Sequence, residues 1–202
     1  MASSELPEGH RAIPDVDTDN AIIARADSDP AAFGQLFDRH ARVLLAYLTR
    51  RTTAAVAEDL LSETFLVAFE RRRRFDTERQ HALPWLFGIA TNLLHRHRRD
   101  EVRAYRALSR MAGPHERDES VDSDDRIDME RALADVARAL AGMPEAVRDT
   151  VLLTTWGELT YEQVAEATGV PIGTVRSRLS RARRALHHVP GARTTLTGLT
   201  HG

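Results

Sequence analysis

From Pro171 to Arg184 the chain carries five arginines and no acidic residue. Ile172, Val175, Leu179, Ala182 and Leu186 recur at steps of three and four, so they form one apolar stripe of a helix. Arg176, Ser177, Ser180, Arg181 and Arg184 fall on the opposite face, with Arg178 and Arg183 flanking it. A planar guanidinium fork matches both a guanine edge and a phosphate. The chemistry expected of this segment is reading duplex DNA from the major groove. Residues near the N-terminal end of such a helix reach base edges, which assigns Arg176, Ser177, Ser180 and Arg181 to bases. Arg178, Arg183 and Arg184 sit to the side or further along and are assigned to phosphates.

The elements that would hold this helix are legible upstream. Ala165, Gly169 and Val175 supply a small residue at a helix crossing, a glycine for a positive-φ turn and an apolar lock, the requirements of a helix-turn-helix. Four helical segments are predicted at 128–141, 144–155, 160–168 and 172–187, separated by Gly142 with Pro144, by Gly157 and by Gly169 to Pro171. Residues 19–105 show the same 3.6-residue rhythm. Phe33, Leu36, Phe37, Leu44, Tyr47 and Leu48 form one inward set, with Asp29 and Pro30 opening the segment. A helix from about 54 to 75 points Val56, Leu60, Leu61, Phe65, Ala68 and Phe69 inward, and one from about 82 to 105 points Trp85, Leu86, Ile89, Leu93 and Leu94 inward. No stretch alternates with period two long enough for a strand. The fold class is all-α, with two small helical domains at 19–105 and 128–188. Residues 106–127 are an acidic linker, and 1–18 and 189–202 are flexible tails. Domains of this size have thin cores and gain rigidity from a partner.

Charge is segregated along the chain. Residues 1–30 carry seven acids against Arg11 and Arg25, and residues 116–130 carry eight against Arg117 and Arg126. With a net charge of −2, the remaining chain therefore carries +9, a balance suited to a polyanion. All 28 basic residues are arginine, which a GC-rich genome also produces. The absence of cysteine excludes disulfides, thiolate metal sites and cysteine nucleophiles. His95 and His97 lie about 200° apart around a helix and cannot share a metal. No phosphate-binding glycine loop, metal-binding HExxH pair or clustered nucleophile occurs, so neither catalysis nor a cofactor is expected. No apolar run reaches the roughly 20 residues of a membrane span, and the acidic N-terminus is no signal peptide. A cytoplasmic protein without membrane insertion is expected.

A second surface stands out in the first domain. Glu58, Asp59, Ser62 and Glu63 share one face of the 54–75 helix, an acidic face suited to a basic protein partner. Three motifs then carry a resemblance that spans about 30–190: AEDLLSETF at 57–65, PWLFGIATNLL at 84–94, and the run from MPEAVR at 143–148 through LTYEQVAEATGVPIGTVRSRLSRARRAL at 159–186. In this order and spacing the chain resembles sigma-70 family RNA polymerase sigma factors of the extracytoplasmic-function type, which retain only domains 2 and 4.

The resemblance implies an alternative sigma factor. Its partners would be core RNA polymerase, through the β′ clamp helices and β flap, and promoter DNA, duplex at −35 and single-stranded at −10. An anti-sigma factor is a further partner the family suggests. Asp59 and Glu63, flanked by Glu58 and Ser62, would dock on the clamp helices; Ser62 stands where relatives commonly carry glutamine. Asn92 and the loop Asp76–His81, with Asp76, Thr77 and Gln80, would capture an extruded base of the −10 element, while Arg96, Arg98 and Arg99 hold the adjoining backbone. Stacking and edge hydrogen bonds to extruded bases offset an opening cost of roughly 1.4 kcal/mol per base step, so melting needs no nucleotide hydrolysis. The acidic linker is either a solvated tether or, as the family suggests, a nucleic-acid mimic inside the polymerase channels. The Arg71–Arg74 run reads as a solvated helix-end charge complement, with contact to DNA or polymerase as the alternative. The alternative is a stand-alone helix-turn-helix regulator, which would bind duplex promoter DNA unaided, usually as a dimer. A DNA-processing enzyme would need a nucleophile or metal carboxylates in 19–105, where none is clustered.

Overall fold

The computed structural model describes residues 17–79, 81–111 and 127–189. The expected N-terminal tail up to residue 16, Gln80, the linker from 112 to 126 and the tail from 190 lie outside the described residues. Eight α-helices occur in order among the described residues: α1 Asp19–Arg25, α2 Gly34–Thr49, α3 Ala54–Arg71, α4 Leu83–Met111, α5 Ile127–Ala141, α6 Glu145–Thr155, α7 Tyr161–Thr168 and α8 Ile172–Leu186. Helices α1–α4 form the first unit and α5–α8 the second.

Local chemistry sets several of these boundaries. The side chains of Thr18, Thr53 and Thr160 accept backbone N–H groups at the starts of α1, α3 and α7. At α7 the cap is reciprocal, since Gln163 Oε1 accepts the Thr160 N–H at 2.9 Å. Asp29 caps the chain at Pro30 as expected, but Pro30–Phe33 forms a 3₁₀ turn and α2 begins only at Gly34. Helix α3 stops at Arg71, before its expected end near Phe75. There the Arg72 guanidinium turns back over the Phe69 ring at 4.2 Å and donates to the Phe69 carbonyl at 2.9 Å, leaving Arg72–Arg74 as a 3₁₀ turn. Helix α4 continues past Tyr105 to Met111, because the first helix breaker downstream is Gly113.

The core is continuous through both units. Leu36, Leu44, Tyr47, Leu48, Leu86, Phe87 and Leu94 of the first are fully buried, as are Val151, Leu153, Val164, Leu179 and Leu186 of the second. Phe37, expected inward, is instead 43% exposed and rests its ring on Phe65 at 4.9 Å. The neighbouring Leu36 of α2 already fills the interior.

The partner that each thin core needs is the other unit. Helix α4 lies along α7, and a methyl group placed on Gly88 would come within 2.7 Å of the Ala167 carbonyl oxygen. At Gly157, in the α6–α7 turn, a Cβ would come within 2.6 Å of the Leu153 carbonyl oxygen in its own unit and 3.2 Å of the Phe87 ring of the other. Gly88 is where the two backbones need room. Gly169 serves differently: it ends α7 at φ +65°, with nothing near its absent Cβ, so a side chain there costs about 1 kcal/mol through backbone conformation alone.

Candidate nucleic-acid and protein interfaces

The stripe on α8 faces inward with Val175, Leu179, Ala182 and Leu186 buried and Ile172 half-buried. Opposite, Arg176, Ser177, Ser180, Arg181 and Arg184 are exposed. Helices α7 and α8 meet through the left-handed Gly169 turn, where the Val170 N–H donates to the Ala165 carbonyl at 3.1 Å. The two flanking arginines are partly engaged. Arg183 donates to the Tyr161 hydroxyl at 2.9 Å, bracing α8 against the first turn of α7. Arg178 is half-buried in the cleft between the two units.

On α3, Glu58, Asp59, Ser62 and Glu63 are all exposed along one face. The Ser62 hydroxyl donates to the Glu58 carbonyl at 3.0 Å, so it is spent within the helix. Glu63 lies 3.8 Å from Arg96 of α4, which sets an expected protein-docking carboxylate beside an expected nucleic-acid arginine. Leu66, one turn beyond Ser62, is 58% exposed and adds an apolar spot to this face.

The loop between α3 and α4 is internally held. Asp76 accepts the Glu78 N–H at 3.1 Å and the Arg79 guanidinium at 3.2 Å. Thr77 is exposed, and Asn92 is exposed toward the cleft. Arg79 also pairs with Glu166 of α7 at 2.7 Å, and that hydrogen bond is the main reason its guanidinium is held above the ordinary arginine range. Arg96 and Arg99 point outward, whereas Arg98 is half-buried and donates to the Arg51 carbonyl at 3.1 Å. Burial, then the charges of Arg51 and Arg148, lower the Arg98 guanidinium from its usual value. The expected trio is thus divided: Arg98 is turned into the protein, and Arg96 and Arg99 face solvent, where a phosphate backbone can reach them.

No local pattern announces the polar cluster that joins the two units. Arg51, just beyond the end of α2, reaches Asp149 of α6 at 2.5 Å, with both side chains almost wholly buried. His95 Nε2 lies 2.7 Å from the other Asp149 oxygen, and the Tyr47 hydroxyl accepts from Arg51 and lies 3.2 Å from Thr91 Oγ1. Burial alone would raise the Asp149 carboxyl, but the hydrogen bond from His95 and the Arg51 charge outweigh it and hold it below the ordinary aspartate range. Burial dominates at Tyr47 and pushes its phenol up. Ninety-eight residues separate Arg51 from Asp149, beyond the reach of any local periodicity.

These surfaces sit on a chain with clear relatives. Residues 36–104 match the model for Sigma-70 region 2 and residues 133–186 that for Sigma-70, region 4. The ECF RNA polymerase sigma factor RpoE of Cereibacter sphaeroides is 31% identical over 172 residues, covering 82% of this chain and 91% of that protein. The RNA polymerase sigma factor HrpL of Pseudomonas syringae pv. syringae is 32% identical, covering 79% and 87%. Among solved structures, CnrH in complex with the cytosolic domain of CnrY aligns with a TM-score of 0.60 at 26% identity, over 88% of this chain and 99% of that one. The sigma factor RpoE of Bartonella quintana, in complex with the anti-sigma factor NepR, aligns with a TM-score of 0.57 at 25% identity, over 78% and 95%. With both regions present in order and one relative matched along nearly its whole length, this chain belongs to the extracytoplasmic-function sigma factors of the sigma-70 family.

Proposed function

We propose a division of labour for this alternative sigma factor in which α3 docks on core RNA polymerase, the α3–α4 loop and α4 engage the −10 element, and α8 reads the −35 element. The observation that carries it is the exposure, in one chain, of an acidic face on α3 and an arginine face on α8. Glu58, Asp59 and Glu63 supply the charge for the β′ clamp helices, and the second unit meets the β flap. Thr77 and Asn92 face the extruded base, Arg96 and Arg99 the strand beside it. On α8, Arg176, Ser177, Ser180 and Arg181 take base edges and Arg184 a phosphate. The protein catalyses no reaction itself and works in the cytoplasm beside polymerase. Among the described residues no helix is long and apolar enough to cross a membrane. The solved neighbour from Bartonella quintana is in complex with an anti-sigma factor, and a like inhibitor is the natural regulatory partner here.

Docking is tested by charge reversal. Asp59→Arg with Glu63→Arg is expected to weaken binding to core polymerase by at least tenfold in a fluorescence titration, with the loss shrinking as salt rises. An affinity equal to wild type would remove α3 from the docking surface. A stand-alone regulator would instead bind duplex promoter DNA tightly without polymerase.

A further inference from the structure

Two adjacent residues at the start of α1 hold both ends of the loop that faces the −10 strand. Asn20 Nδ2 donates to the Thr77 carbonyl at 2.7 Å. Asp19 accepts the Ala82 N–H at 2.8 Å, at the entry to α4. Asp19 is itself fixed, being 4% exposed and bound to Arg39 at 2.8 Å and His40 at 2.9 Å. Neither residue lies within the span matched by the region 2 model. One fixed carbonyl at Thr77 and one fixed N–H at Ala82 hold the two ends of the connection in place.

We propose that Asp19 and Asn20 are positioning residues for base selection at the −10 element, setting the loop that meets the extruded base without touching DNA. This rests on the role proposed for that loop. Base selection depends on placing edge donors and acceptors within a few tenths of an ångström. A loop freed at Thr77 samples several positions and discriminates less.

The test uses holoenzyme assembled from the full chain and core polymerase, on a promoter library randomised across −10 with −35 constant. Asn20→Ala is expected to flatten base preference at the captured position about fivefold, with −35 preference and core affinity unchanged. Asn20→Gln, which keeps the amide donor, is expected to restore part of the preference. A merely structural role would lower all transcripts alike and leave the preference profile intact, and that outcome overturns the proposal. A paired variant, Thr77→Ala with Glu78→Ala, separates the two readings. If it leaves the profile unchanged, the loop is not the reader; if it changes the profile and Asn20→Ala does not, the clamp is wrong.

Discussion

Replacing Arg176 and Arg181 together by alanine is expected to reduce transcription from a −35-dependent promoter by about 30-fold or more while leaving core binding intact. Both guanidinium groups are exposed on α8, and in the proposed −35 role each would form a bidentate bond with a guanine, worth about 1–3 kcal/mol of discrimination. The pair therefore accounts for about 2–6 kcal/mol if the contacts are independent. Arg184→Ala should behave differently: a lost phosphate contact weakens all sequences about equally and reduces the slope of log affinity against log salt by about 1. Quantitative run-off assays on wild-type and mismatched −35 sequences separate the two classes. If the double alanine variant keeps full sequence preference, α8 is not the reader.

Asp19→Ala is expected to destabilise the protein by about 2–4 kcal/mol. The change strands the Ala82 N–H, Arg39 and His40 at a site where the carboxylate is nearly inaccessible. Burial by itself would raise this carboxyl. The hydrogen bonds from His40, the Ala82 amide and Arg39 overcome that effect and hold it well below the ordinary aspartate range. Since the folded group titrates lower than the unfolded one, its stabilisation is complete above about pH 4 and is lost as pH falls toward the folded value. Denaturant melts of wild type should therefore lose stability on acidification in that window, and the Asp19→Ala protein should lose less. Equal acid sensitivity in the two proteins would assign the effect to other carboxylates.

The features legible in the residues themselves are periodic and local. The stripe from Ile172 to Leu186 and the Ala165–Gly169–Val175 pattern determine a helix-turn-helix because each residue acts within one or two turns of the next. The acidic face of α3 is legible for the same reason. Residues whose role is long-range carry no such pattern. Asp19 belongs by sequence to an acidic stretch, and only the fold reveals it as the anchor between α1, α2 and α4. Arg98 matches Arg96 and Arg99 in type, yet its place on the helix carries it toward Arg51 instead of solvent. Gly88 and Gly157 read as ordinary helix or turn glycines until another part of the chain is found against them. Phe37 keeps helical register with the core but loses its place to Leu36.

Steering polymerase to start sites is the activity on which all of these roles depend, and it can be measured directly. Core enzyme stripped of sigma subunits should be mixed with the purified full-length protein and a genomic promoter library, and the transcripts mapped by run-off. A stable one-to-one assembly and new transcripts starting downstream of shared −35 and −10 sequences are predicted. Absence of any assembly, together with tight binding of the protein alone to duplex promoter DNA, would contradict it.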